Sequence, residues 1–289
     1  MKNFEMVRYG KWTYPSDVPI RISEIAAHFD KSDIYPKEAY SLHTEYSFGA
    51  RKFSSRHLAD LENIKSCNYR GIPQLWKNAE WASDFAKFVF SICEGKGAPE
   101  VIEIHPPFSD YVSFSQFVEI YKRFEDSVRE KYPNVRIMIE NRCGSNYKVA
   151  PFLFSKGIDF IELCENIERY QLDLKIAFDI PQLFSAEKIG SGKLNRMSVL
   201  FENLKIIREY IGSVHLWGKA DANGRSRVAH HGNFDTYFRN TELKAEFLAL
   251  LSDYFDDNAV RYMVLEVNSS NDDVTSIIND LKSIDFRFI

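Results

Sequence analysis

Residues 101–107 read Val-Ile-Glu-Ile-His-Pro-Pro: an apolar run closes on a histidine and two prolines stop it at once. Proline fixes φ and lacks an amide donor, so a strand must end here and the chain direction after His105 is set. Five other runs close in the same way, at residues 41–43, 137–140, 176–179, 214–217 and 264–267, and bring His43, Glu140, Asp179, His215 and Glu266 to comparable positions. When parallel strands with outer helices close into a barrel, their C-terminal tips converge on one mouth, where catalytic groups collect. Three imidazoles and three carboxylates at six strand ends are poorly explained as solvated surface positions, and one shared metal site accounts for all of them. The expected fold is therefore α/β, a (β/α) TIM barrel.

Working outward, strands are expected at Phe4 to Tyr9, Ala39 to His43, Val101 to His105, Arg136 to Glu140, Leu174 to Asp179, Ser213 to Trp217 and Tyr262 to Val267. Between them, residues 74–94 place Trp76, Ala79, Ala82, Phe85, Ala86, Val89, Phe90 and Cys93 on one face at a 3.6-residue period, as a helix does. Helices are likewise expected at Ser113 to Lys131, Ile158 to Tyr170, Leu194 to Ile211, Leu243 to Phe255 and Asp272 to Ile284. Strand and helix alternate, the rhythm of parallel strands with helical crossovers. Seven strands are counted where a complete barrel has eight, so one is expected to be missing, cryptic or replaced by an irregular segment. Residues 47–73 and 218–234 read as long loops over the mouth, where specificity usually resides.

The length of 289 residues suits one barrel, which usually takes about 250, and no Pro/Gly/Ser-rich linker divides the chain, so one domain spanning 1–289 is expected. A hydrophobic fraction of 45% supplies a sizeable core. The formal net charge of −4 is unlike the basic footprint of a protein that holds nucleic acid by charge alone. Four cysteines without CxxC spacing read as reduced thiols, and neither a signal-type apolar segment nor a run of about 20 apolar residues occurs. A cytoplasmic protein without membrane attachment is expected, and no pattern fixes an oligomeric state. There is no GxSxG elbow, and the GSGK fragment at 190–193 is too short for a phosphate loop.

A carboxylate ending a buried strand must be paired or bound to a metal. For each acid alone a rim salt bridge is about as plausible; three acids together with three strand-end histidines favour metal. Mixed imidazole and carboxylate donors suit zinc or manganese better than calcium, and more than four candidates suggest two ions with Glu140 as the bridge. In the loop after Trp217, His230 and His231 could add a ligand, while Lys219 and Arg227 could hold a phosphate.

Taken in order, LHTEY, IHPP, MIENR, AFD, VHLWGK with SRVAHHGNF, and VLEVN resemble the xylose-isomerase-like TIM barrels, with a likeness to endonuclease IV and the UV-damage endonucleases. The start, VRYGKWTYP, is similar to the second-strand segment of the latter, which implies that the family's first strand is lacking. The resemblance implies one ion on His43, His105 and Glu140, and a second on Glu140, Asp179, His215 and Glu266. Ligands of a third ion would fall at Gln182, Ala229 and His231, and two of those three are replaced, leaving a two-metal centre. It further implies a divalent-metal-dependent phosphodiesterase acting on damaged or abasic nucleic acid, with Arg142, Gln182, Lys219, Arg227 and His230 near the substrate. Sugar isomerases of the same superfamily use only the Glu, Asp, His, Glu quartet, so the alternative is an isomerase or epimerase of a sugar or sugar phosphate, with Glu140 and Glu266 transferring protons.

Overall fold

A computed structural model of the protein describes residues 2–144, 150–190 and 194–289; most of the GSGK fragment lies outside them. Eight parallel strands form a closed barrel: β1 (Lys2–Arg8), β2 (Ile20–Ala27), β3 (Ala39–Thr44), β4 (Val101–Ile104), β5 (Arg136–Glu140), β6 (Leu174–Asp179), β7 (Ile211–Leu216) and β10 (Val260–Leu265). Closure comes from β1 against β10, in register from Asn3 opposite Val260 to Val7 opposite Val264. A hairpin, β8 (Lys219–Ala222) with β9 (Arg225–Ala229), rises after β7. Outside the barrel, β11 (Phe286–Phe288) pairs with the start of β1.

The expectation of a missing first strand is thus corrected. The unrecognised strand is β2, and β1 is the first of a full set of eight. Its sequence, IRISEIAA, sets charged and polar residues among the apolar ones. It is also flanked by segments 9–19 and 28–38, neither of which carries a helix, so the strand–helix rhythm is broken on both sides. The second expected loop is corrected too, since residues 219–229 form the hairpin.

Helices α1 (Ala79–Ile92), α2 (Phe114–Lys131), α3 (Gly157–Tyr170), α5 (Leu194–Asn203), α7 (Thr241–Tyr254) and α8 (Asn271–Lys282) stand near where periodicity placed them, except that α1 starts five residues later than expected and Trp76, at φ 58°, precedes it rather than lying on its face. Two short ones, α4 (Ile180–Ala186) and α6 (Phe234–Phe238), were not anticipated. Helix α2 begins with a reciprocal capping box, Ser113 with Gln116, which satisfies two otherwise orphaned donors. The expected helix from 194 to 211 stops at Asn203 and continues as a 3-10 segment, Lys205–Tyr210. The main core lies between barrel and helices, and a smaller cluster of Val7, Ile22, Val101, Met138, Ala177, Tyr262 and Val264 fills the barrel floor. This floor leaves the upper interior to polar residues. Among the described residues no helix is long and apolar enough to cross a membrane.

Candidate metal centre

Side chains alternate between the faces of a strand, so each barrel strand sends every second residue inward. On β4, Val101 joins the floor while Ile102 and Ile104 join the outer core, which leaves Glu103 and then His105 facing the interior. The same alternation lifts Glu140 above Met138 on β5, Asp179 above Ala177 on β6, and Glu266 above Val264 at the end of β10. All of these acids and the imidazoles of His105 and His215 are at least nine-tenths buried.

They meet in an alternating chain of charge. His43 Nδ1 lies 3.3 Å from Glu24 Oε1 and 3.0 Å from Glu103 Oε1. The other Glu103 oxygen is 3.1 Å from His215 Nε2, and His215 Nδ1 is 3.1 Å from Glu266 Oε1. Glu266 Oε2 is in turn 3.1 Å from His230 Nδ1. On the other side His105 Nε2 stands 2.7 Å from Glu140 Oε2, which also takes the Arg142 guanidinium at 3.1 Å. Burial alone would lower both His43 and His215, but the adjoining carboxylates outweigh it and hold both well above the usual imidazole range. Burial and the neighbouring His43 charge keep His105 well below it. Burial raises Glu140 against the pull of Arg142, whereas bonds from His215 and His230 overcome burial at Glu266 and hold it well below the carboxylate range.

Asp179 stands slightly apart. Its side chain caps α4 through the Gln182 amide at 2.8 Å, and it accepts from Gln182 Nε2 at 2.8 Å and Trp217 Nε1 at 2.9 Å. Burial and the charges of Glu266 and Glu140 nevertheless raise it to about 8. Gln182 Nε2 also bonds Glu140 Oε1, tying the two acids together.

Two sets of donor atoms lie within 4.8 Å of one another: His43, Glu103, His105 and Glu140, and then Glu140, His215 and Glu266. They share Glu140. His43 Nδ1, Glu103 Oε1 and His215 Nε2 are buried and have no well-aligned hydrogen-bond partner, despite the short separations between them. Imidazole nitrogens and carboxylate oxygens buried within 4.8 Å of one another, several of them without a hydrogen-bond partner, make a donor set of the kind a divalent cation takes in place of protons, so the residues fit a metal.

Above the centre opens a cavity of about 460 Å³, lined among others by Tyr9, His28, Tyr46, Phe48, Arg142, Cys143, Gln182, Trp217, Lys219 and His230. The Arg142 guanidinium lies over Tyr46, and His230 stacks on Trp217 with ring centroids 4.4 Å apart. Gly218 allows the hairpin to seat here, because any Cβ would lie 2.5 Å from the backbone of Gly232 and Asn233.

Of the residues expected from sequence, His43, Glu140, Arg142, Gln182, Lys219, His230 and Glu266 line this cavity; His105, Asp179 and His215 lie beneath it. Two others are placed elsewhere. His231 turns its Nδ1 to the Ala229 carbonyl at 3.0 Å, and the Arg227 guanidinium donates to the Tyr237 carbonyl at 2.9 Å, so neither lines the cavity. Glu103, Glu24 and His28 were overlooked, although counting back by two from His105 places Glu103 on the same inward face.

No family model matches the chain, and no curated protein matches it. Among solved structures of similar fold are an AP endonuclease, family 2, from Brucella melitensis (7% identity, 96% of this chain and 99% of that one, TM-score 0.49) and 3-keto-D-glucoside 4-epimerase from E. coli (10%, 98% and 99%, 0.49). A probable 3-DHS dehydratase from Bacillus anthracis matches at 13% over 84% of this chain and 75% of that one, with a TM-score of 0.45. These neighbours are xylose-isomerase-like TIM barrels.

Proposed function

We propose that the protein is a divalent-metal-dependent phosphodiesterase acting on damaged or abasic nucleic acid through a two-ion centre. The observation that carries this reading is the pair of donor sets that share Glu140, one of them including His105. His43, His105 and Glu140 would hold one zinc or manganese ion, and Glu140, His215 and Glu266, with Asp179 beside them, the other. Such a pair, when bound, supplies Lewis acidity and positive charge to the attacking and leaving oxygens of an in-line displacement at phosphorus. Arg142 and Lys219 face the same cavity and would orient and neutralise the substrate phosphate. Tyr46 and Trp217 wall it and exclude water, and its volume is that of one extruded nucleotide rather than of a duplex.

A second reading rests on the smaller donor set. Glu140, His215 and Glu266 alone could hold one ion, and the aromatic-walled cavity has room for a single sugar. Glu140 and Glu266 would then move a proton between adjacent carbons of a sugar or sugar phosphate. His105→Ala separates the two. Under the phosphodiesterase reading, metal content falls from two ions per chain to one and cleavage of an abasic oligonucleotide is lost; an isomerase would keep its single ion and most of its turnover. Unchanged cleavage in the variant would sink the two-ion mechanism.

A further inference from the structure

On the two-ion reading, Glu140 is the one carboxylate shared by both donor sets. The structure assigns a second bridge: we propose that Glu103, one inward position below His105 on β4, spans the two ions as well. It is 2% exposed, and its two oxygens diverge: Oε1 lies 3.0 Å from His43 Nδ1 in one donor set, and Oε2 lies 3.1 Å from His215 Nε2 in the other. Strand register fixes this placement, because Glu103 sits directly opposite His43 in the β3–β4 ladder. A carboxylate whose only purpose was to orient imidazoles would accept well-aligned N–H bonds from them. Here Glu103 Oε1, His43 Nδ1 and His215 Nε2 all lack such a bond although each is buried, so each imidazole has a Glu103 oxygen beside it without the bond that orienting it would require. Glu24 is different in kind. It approaches His43 at 3.3 Å but no histidine of the second set, and it belongs to neither donor set, so although its Oε2 is also buried without a partner it spans no pair of ions.

A centre with two carboxylate bridges carries more negative charge than one built on Glu140 alone. It would therefore favour a pair of divalent ions over a single one.

The test is Mn2+ binding to metal-stripped protein, followed by titration calorimetry and electron paramagnetic resonance, for wild type, Glu103→Gln and Glu24→Gln. In the wild type two ions bind and give the multiline signal of an exchange-coupled pair. In Glu103→Gln the second ion binds at least about tenfold more weakly and the coupled signal gives way to that of an isolated ion, while Glu24→Gln keeps it. Retention of the coupled signal by Glu103→Gln overturns the bridge and leaves the two-ion reading intact. A wild type that binds no more than one ion overturns both. Should Glu103→Gln fail to fold, Glu103→Asp decides on the same criterion, because its charge is withdrawn by one methylene: loss of coupling supports the bridge, and full coupling at wild-type affinity refutes it.

Discussion

Asn141 shows how single side chains hold the mouth together. It is fully buried, and its amide reaches across to the next strand end, donating to the Asp179 carbonyl and accepting from the Asp179 amide, each at 2.9 Å. The side chain thus continues the β5–β6 ladder by one rung and fixes where Asp179 begins α4. Asn141→Ala removes both bonds and leaves a buried amide and carbonyl unpaired, a loss of about 2–4 kcal/mol in denaturant unfolding. A change below about 0.5 kcal/mol would show that the rung is dispensable. At this scale a polar residue ending an apolar run marks, as at His105 and Glu140, side chains that the structure brings together. Glu103 carries no such mark, because it lies within the apolar run, and only the period of two extends the inward face one pair deeper. His231 is read with His230, since adjacent histidines in a loop carry no mark of which one turns inward.

Among the elements, the hairpin after β7 depends on Gly218. A methyl there meets backbone atoms of Gly232 and Asn233 that cannot move aside as a flexible side chain would. Gly218→Ala is expected to displace Lys219 and His230 from the cavity and to raise KM severalfold with a small change in thermal stability; an unaltered KM would mean that the hairpin does not shape the site. At the opposite end of the barrel, Arg261 is 2% exposed, donates to the Ile211 and Arg208 carbonyls, and grips Asp257 with two bonds of 2.7 Å. Although burial opposes it, that grip holds the Asp257 carboxyl below its ordinary range. A depressed folded-state pKa adds stability above the unfolded value of about 3.9, and that stability is lost as pH falls below it. Asp257→Asn should therefore be less stable than wild type at neutral pH, and the difference should shrink in acid below about pH 4; a constant difference across that range would rule out the ion pair. The missed strand β2 belongs to this scale too. Segments without helices on either side deny it the context by which its neighbours are recognised, and with β2 went Glu24 and His28.

For the whole molecule, the centre gathers donors from β3, β4, β5, β7 and β10, so a bound ion ties together segments from residue 43 to residue 266. Ligands that bind only the folded chain stabilise it by mass action, by about 2.7 kcal/mol at a free concentration one hundred times Kd. Chelator should lower the Tm of metal-loaded protein, and Mn2+ or Zn2+ should restore it. Identical melting curves with and without chelator would remove the metal from the account. The barrel's seam carries a separate consequence for how the chain is made. β1 pairs with β10 along one edge and, at its first residues, with β11 on the other. While the ribosome is still extending the chain, that strand has only the partial partnership with β2, and its apolar Phe4, Met6 and Val7 await segments more than 250 positions away. A nascent chain therefore carries an unpaired sticky edge from the emergence of β1 until β10 and β11 follow it, and cellular yield should depend on what shields this edge in that interval.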